Sequence, residues 1–170
     1  MDRRQLLKRL DGAWMAFNAS YAGLPDAQLM KPGVTGAWSV RDIIAHVTTW
    51  EAEALKHLPL VLEGGTPPRY SIQYGGIDAF NALMTEQKKS LSLADVRAHA
   101  ADTHARVVEL VQRVPVDQLG GASRFRRRLR LDTYGHYPLH AEAIRRWRGQ
   151  NERAGSCAGP FADQISPMLF

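Results

Sequence analysis

The sequence predicts an all-α domain, a bundle of four long helices with a long crossover that carries an extra helix. Apolar residues recur at spacings of three and four through four separate stretches, as one buried helical face requires. Residues suited to N-caps stand just ahead of three of them. No stretch shows the strict alternation of a half-buried strand.

The first helix covers residues 3–21, with Leu6, Leu10, Trp14, Phe17 and Tyr21 on one stripe and Asp2 as its N-cap. Gly23 and Pro25 end it, and Pro32 and Gly33 keep the next stretch irregular. Ser39 and Asp42 have nearly the spacing and chemistry of a capping box, so a second helix spans 39–59. Its stripe is Val40, Ile43, Val47, Trp50, Ala54 and Leu58. Gly64, Gly65, Pro67 and Pro68 break the chain, and residues 69–76 read as a loop crossing the bundle.

Residues 77–90 form the extra helix, carrying Ile77, Phe80, Leu83 and Met84. Ser92 caps a third long helix, 92–114, in which Leu93, Val96, Ala100, Thr103, Val107 and Val111 keep the period up to Pro115. Residues 116–131 read as a connector with a short turn at 116–119. The last helix, from about residue 132–134 to 152, turns His140, Ala143, Ile144 and Trp147 inward. Residues 1–153 make one domain and 154–170 a tail.

With 45% apolar and 23% charged residues in a chain of 170, a folded core is affordable and wholesale disorder is excluded. No window reaches the roughly 18 apolar residues of a membrane span, and the start lacks a secretory leader's apolar run. A lone cysteine, Cys157, forms no disulfide framework and reads as inert, which suits a cytoplasmic protein. The net charge of +5 is concentrated in the run RFRRRLR over 124–130. Without any nucleic-acid-binding motif this run reads as a solvated loop, and nucleic acid is not an expected partner.

The histidines carry the chemical signal. His46 shares the inward side of the second helix, and His136 and His140, four apart, lie on the buried side of the last. Three imidazoles directed into one interior from two helices match an open divalent-metal site, with zinc, nickel, iron or manganese as the ion. The same positions also suit hydrogen-bonded core histidines, and no carboxylate completes a Glu-x-x-His motif. Pro138 is compatible with stacking of the pair only if it falls in the first turn of the helix. His57, His99 and His104 are expected at the surface or rim.

WSVRDIIAH over 38–46, Trp50 beyond it and the His136/His140 pair together resemble the DinB-like superfamily of four-helix proteins, over roughly residues 3–150. Within it, DTYGHYPLH over 132–140 followed by Trp147 looks most like the ClbS/DfsB-type branch, which includes a colibactin self-resistance protein. The resemblance implies a bundle with a long crossover, a homodimer and a metal held by His46, His136 and His140. Superfamily members include metal-dependent thiol transferases, a mycothiol-dependent isomerase and a hydrolase of a reactive electrophile. It therefore implies a metal-dependent hydrolase or thiol transferase acting on a small reactive molecule, with a low-molecular-weight thiol as a further partner. The alternative is a non-catalytic protein that sequesters a small molecule or metal. Trp50, Tyr134 and Tyr137 are the side chains expected to meet a substrate. Asp42 and Glu51 are either bases near the site or, respectively, a helix cap and a solvated face. No catalytic residue is assigned.

Overall fold

The computed structural model describes residues 2–120 and 123–157. Among these, the helices are α1 (Arg3–Tyr21), α2 (Asp26–Leu29), α3 (Val40–Leu62), α4 (Tyr70–Gln73), α5 (Ile77–Gln87), α6 (Leu93–Arg113), α7 (Arg124–Asp132) and α8 (Tyr137–Cys157). A single 3-10 turn, Val116–Leu119, stands where the short turn is expected. No strand forms among the described residues beyond an isolated bridge between Thr35 and Trp38. Among the described residues, no helix is long and apolar enough to cross a membrane.

Full capping boxes start α1, α3 and α6: Asp2 with Gln5, Ser39 with Asp42, and Ser92 with Asp95. Each satisfies two backbone N–H groups that the helix cannot, and loss of such a cap costs about 1 kcal/mol. The stripes then meet in one core. Leu6, Leu10 and Phe17 of α1, Ile43, Val47 and Leu58 of α3, Val107 and Val111 of α6 and Ile144 of α8 are fully buried. Each contributes about 1.5–3 kcal/mol through removal of apolar surface from water.

Cross-helix contacts fix the directions. Arg3 donates to Val114 O and Trp14 stacks on His104, so α1 and α6 run antiparallel. Arg9 lies over Tyr134, Trp14 packs on Tyr137, and Arg148 donates to Ser20 O, so α8 runs parallel to α1. Arg41 reaches Leu91 O at 2.6 Å and Glu51 meets His104, so α3 and α6 are parallel too. Parallel neighbours need a long return, and residues 63–92 supply it. Buried Arg41 also donates to Lys88 O and pairs with Asp42, pinning the end of that crossover to the start of α3.

Several expectations need correction: the expected loop 69–76 contains the short helix α4, and α3 runs on to Leu62 rather than ending at 59. The arginine run is helix α7, not a connector loop: Ser123 caps it, and Phe125 and Leu129, one turn apart, are both fully buried. Two anchors among five arginines leave too weak a period to stand out in sequence. The last helix also starts later than expected, at Tyr137. Between α7 and α8 the chain turns through residues 133–136, where Gly135 N–H donates to Arg130 O at 2.9 Å, the six-to-one bond of a Schellman ending. At its far end α8 runs to Cys157, past the expected stop at residue 152. The rest of the expected tail, residues 158–170, lies outside the described residues.

A Cβ on Gly135 would sit 2.6 Å from Arg130 O, whereas one on exposed, mid-helix Gly12 meets nothing within 4 Å. Gly135→Ala is therefore expected to cost about 1–3 kcal/mol through overpacking. Gly12→Ala is expected to stabilise by about 0.4–1 kcal/mol. At about 2–4 °C per kcal/mol, thermal melts should move in opposite directions for the two variants.

Candidate metal centre

The capping box at Ser39 sets the phase of α3, which brings His46 and Trp50 to one side of that helix. His140 stands in the first turn of α8. His136 lies just before that helix, its N–H donating to Thr133 O at 2.7 Å, and Tyr137 N–H shares the same acceptor at 3.0 Å. Pro138 therefore occupies the first turn of α8, where its missing N–H breaks no helical bond.

The three imidazoles converge. Nε2 of His136 lies 2.9 Å from Nε2 of His140 and 3.3 Å from Nε2 of His46. The ligand atoms of the three all fall within 4.8 Å of one another. Their ring planes are steeply inclined, at 68–80°, and the short Nε2–Nε2 distances are what bring nitrogens toward a common centre. A tetrahedral ion with bonds of about 2.0–2.1 Å holds its nitrogens roughly 3.3 Å apart, the His46–His136 distance, while the His136–His140 distance of 2.9 Å is somewhat shorter. Burial pushes His46 and His136 down to about 3 and His140 to about 4. Neutral imidazoles present lone pairs, and a cation engages all three at once. The donor set thus fits a divalent transition metal.

The surroundings are half-buried and aromatic. Trp38 packs on His46 with ring centroids 4.8 Å apart, and Trp50 meets both His46 and His136 edge-on. The crossover closes around Trp50 through Tyr70, Phe80 and the side chain of Asn81, whose Oδ1 accepts from the indole at 3.2 Å. Lys88, which the sequence does not single out, donates to Thr49 Oγ1 at 2.6 Å and Ala45 O at 3.2 Å. Both acceptors flank His46 along α3. Burial brings the Lys88 ammonium down to about 8.

Other sequence candidates lie elsewhere. Tyr137 is fully buried with its hydroxyl on Glu51, and Tyr134 is buried beneath Arg9, so both tyrosines pack the core rather than line the histidine cluster. Asp42 caps α3 and pairs with Arg41. Glu51 is not on a solvated face: it is 0% exposed and accepts from His104 Nδ1 at 2.8 Å. His57 and His104 are likewise buried rather than at the rim, because each found a carboxylate partner, Glu53 and Glu51. His99 is exposed as expected.

The depressed imidazole values set a pH dependence. The unfolded chain takes up protons near 6.5, whereas the buried rings stay neutral to about 4 or below. The stability they hold is complete above about 6.5 and is lost as pH falls toward 4. Urea midpoints should therefore drop from pH 7.5 to pH 4.5, and drop less in His140→Asn, which removes one titrating ring. Equal pH dependence in the two proteins would contradict this.

The sequence matches the family model of the DinB superfamily over residues 9–149. No curated protein sequence matches it significantly. Among solved structures the fold is similar to that of DfsB, described as a sibling lethal factor precursor, with a TM-score of 0.74 and 16% identity over 89% of this chain and 97% of that one. It is similar to an uncharacterised protein from Escherichia coli UTI89, with a TM-score of 0.73 and 16% identity over 89% and 95% of the two chains. It is also similar to the colibactin self-resistance protein ClbS, solved in complex with a double-stranded DNA (TM-score 0.72, 13% identity, 86% and 95% covered). These identities speak for the fold alone, while the family match spans most of the sequence: the chain belongs to the DinB superfamily.

Proposed function

We propose that this protein holds one divalent transition-metal ion on His46, His136 and His140 and acts there on a small reactive molecule, as a hydrolase or thiol transferase. The observation that carries the reading is the convergence of three neutral Nε2 atoms at metal-ligand spacing. Such an ion supplies Lewis-acid polarisation and acidifies a water or thiol that it holds. The protein's own groups define the rest. Trp38 and Trp50 wall the half-buried site with aromatic rings. Lys88 places a positive charge beside His46, which favours a substrate carrying negative charge.

The test is thermal stability with added zinc, nickel, manganese or iron(II). At about 100 times the dissociation constant a native-state ligand adds roughly 2.7 kcal/mol. For a domain of this size that raises the melting midpoint by about 5–11 °C. His46→Ala or His140→Ala should abolish the rise, and His99→Ala should keep it. Identical melts of wild type and His140→Ala with every ion would remove the metal reading. Turnover of a model electrophile with and without a small thiol then separates an enzyme from a sequestering protein.

A second reading concerns α7, and two observations favour it. The helix carries five arginines against one aspartate, nearly the whole net charge of the chain. Arg128 pairs with Asp132, and Arg124 donates to Gly64 O and Gly65 O; Arg126, Arg127 and Arg130 meet no carboxylate among the described residues. Buried Phe125 and Leu129 hold them on a rigid ridge, where guanidinium groups suit phosphate oxygens. ClbS, with the same fold, was solved with double-stranded DNA. We therefore read α7 as a surface for a nucleic-acid backbone, although the sequence carries no motif for one. Three phosphate contacts make the log–log salt dependence of duplex binding steeper by about 2.7. The triple variant Arg126→Gln/Arg127→Gln/Arg130→Gln should lose that increment in a fluorescence titration. No binding of a 20-bp duplex at 50 mM salt would end this reading.

A further inference from the structure

His136 needs more explanation than the other two imidazoles. His46 and His140 sit on regular helix, where backbone geometry alone sets their direction. His136 lies outside α8, two residues before a proline that cannot donate to the preceding turn. A metal-bound imidazole is ordinarily oriented by a hydrogen bond from its second nitrogen. Nδ1 of His136 is buried and meets no such partner among the described residues. The main-chain bonds onto Thr133 O anchor it to the end of α7, and nothing in them refers to α3, where His46 stands.

The link to α3 comes through the next residue. Tyr137 is the largest fully buried side chain, and its hydroxyl donates to Oε1 of Glu51. Glu51 belongs to α3, five residues after His46. The same Oε1 accepts from His104 Nδ1 at 2.8 Å, and the His104 ring stacks on Trp14 at 4.1 Å and 7°. One carboxylate oxygen thus ties α3 to α8 and α6, with α1 stacked behind it. Oε2 is buried and has no partner among the described residues. Burying a carboxylate is costly, and well-packed apolar groups of the same volume often hold a core as well or better. Stability of the bundle is thus a poor explanation of Glu51, whereas one fixed distance between α3 and the start of α8 is a good one.

We infer that Glu51, acting through Tyr137, is the positioning residue that sets His136 against His46, with His104 bracing the carboxylate from α6. This rests on the metal reading of the three histidines and adds a role for residues that touch neither ion nor substrate. The hydrogen bond needs an acceptor at Glu51 and a hydroxyl at residue 137, not a charge. Glu51→Gln keeps the acceptor, whereas Glu51→Met and Tyr137→Phe keep the volume and lose the bond.

The experiment is zinc affinity at pH 7.5, by competition with a chromophoric chelator, on wild type, Tyr137→Phe, Glu51→Met, Glu51→Gln and His140→Ala. Melting curves of the metal-free proteins accompany it. Loss of a group bonded directly to a metal-bound histidine typically weakens binding about 10- to 100-fold. Glu51 and Tyr137 act one residue removed from His136, so a loss near the lower end, about 10-fold, is expected for Tyr137→Phe and Glu51→Met. Glu51→Gln should bind within a few-fold of wild type. The order of affinities should not follow the order of metal-free melting points, as it would if these residues only held the core together. Should Glu51→Met fail to fold, Tyr137→Phe decides alone. If wild type binds zinc, His140→Ala does not, and Tyr137→Phe binds like wild type, the positioning role is wrong and the metal site stands. If wild type and His140→Ala both fail to bind zinc, both fall.

Discussion

The buried carboxylate of Glu51 stands where the four long helices meet, and in its inferred role it positions the histidine cluster. Tyr137 of α8 and His104 of α6 both donate to Glu51, and Trp14 of α1 covers the histidine. The contact is local in space and remote in sequence, spanning 53 residues to His104 and 86 to Tyr137. It favours one register among the ways that apolar stripes can pack. Apolar contacts are forgiving about such choices, while a buried hydrogen bond is not.

Elements that declare themselves locally are readable in the chain. Asp2, Ser39 and Ser92 cap the helices that their positions announce, and the stripe of α3 is buried at Val40, Ile43, Val47, Ala54 and Leu58. The spacing of His136 and His140, with His46 on the inward side of another helix, is enough to bring the three together on paper. Features that depend on partners from elsewhere are not readable. Glu51 and His104 look polar and exposed in isolation, and each is buried only because the other is there. Helix α7 hides behind its arginines, since two buried side chains in nine residues make no visible period. The late start of α8 depends on the Schellman ending at Gly135, which a continuous apolar pattern masks.

The two proposed surfaces use different physics. The histidine cluster is half-buried, neutral and walled by tryptophans, an environment that strengthens electrostatic interactions with whatever it holds. The outer face of α7 is exposed, charged and screened by salt, so it can act only on a partner with many phosphates or comparable charge density. Membership of the DinB superfamily accounts for the bundle and its crossover.

Zinc K-edge X-ray absorption on protein purified, stripped and reloaded with one equivalent of zinc tests the central claim most directly. The account predicts a first shell dominated by imidazole nitrogens at about 2.0–2.1 Å, with the multiple-scattering pattern of three histidine rings. In His136→Ala that pattern should fall to two rings. A first shell of oxygens without imidazole scattering, or one unchanged by replacing His46, His136 and His140 in turn, would contradict it.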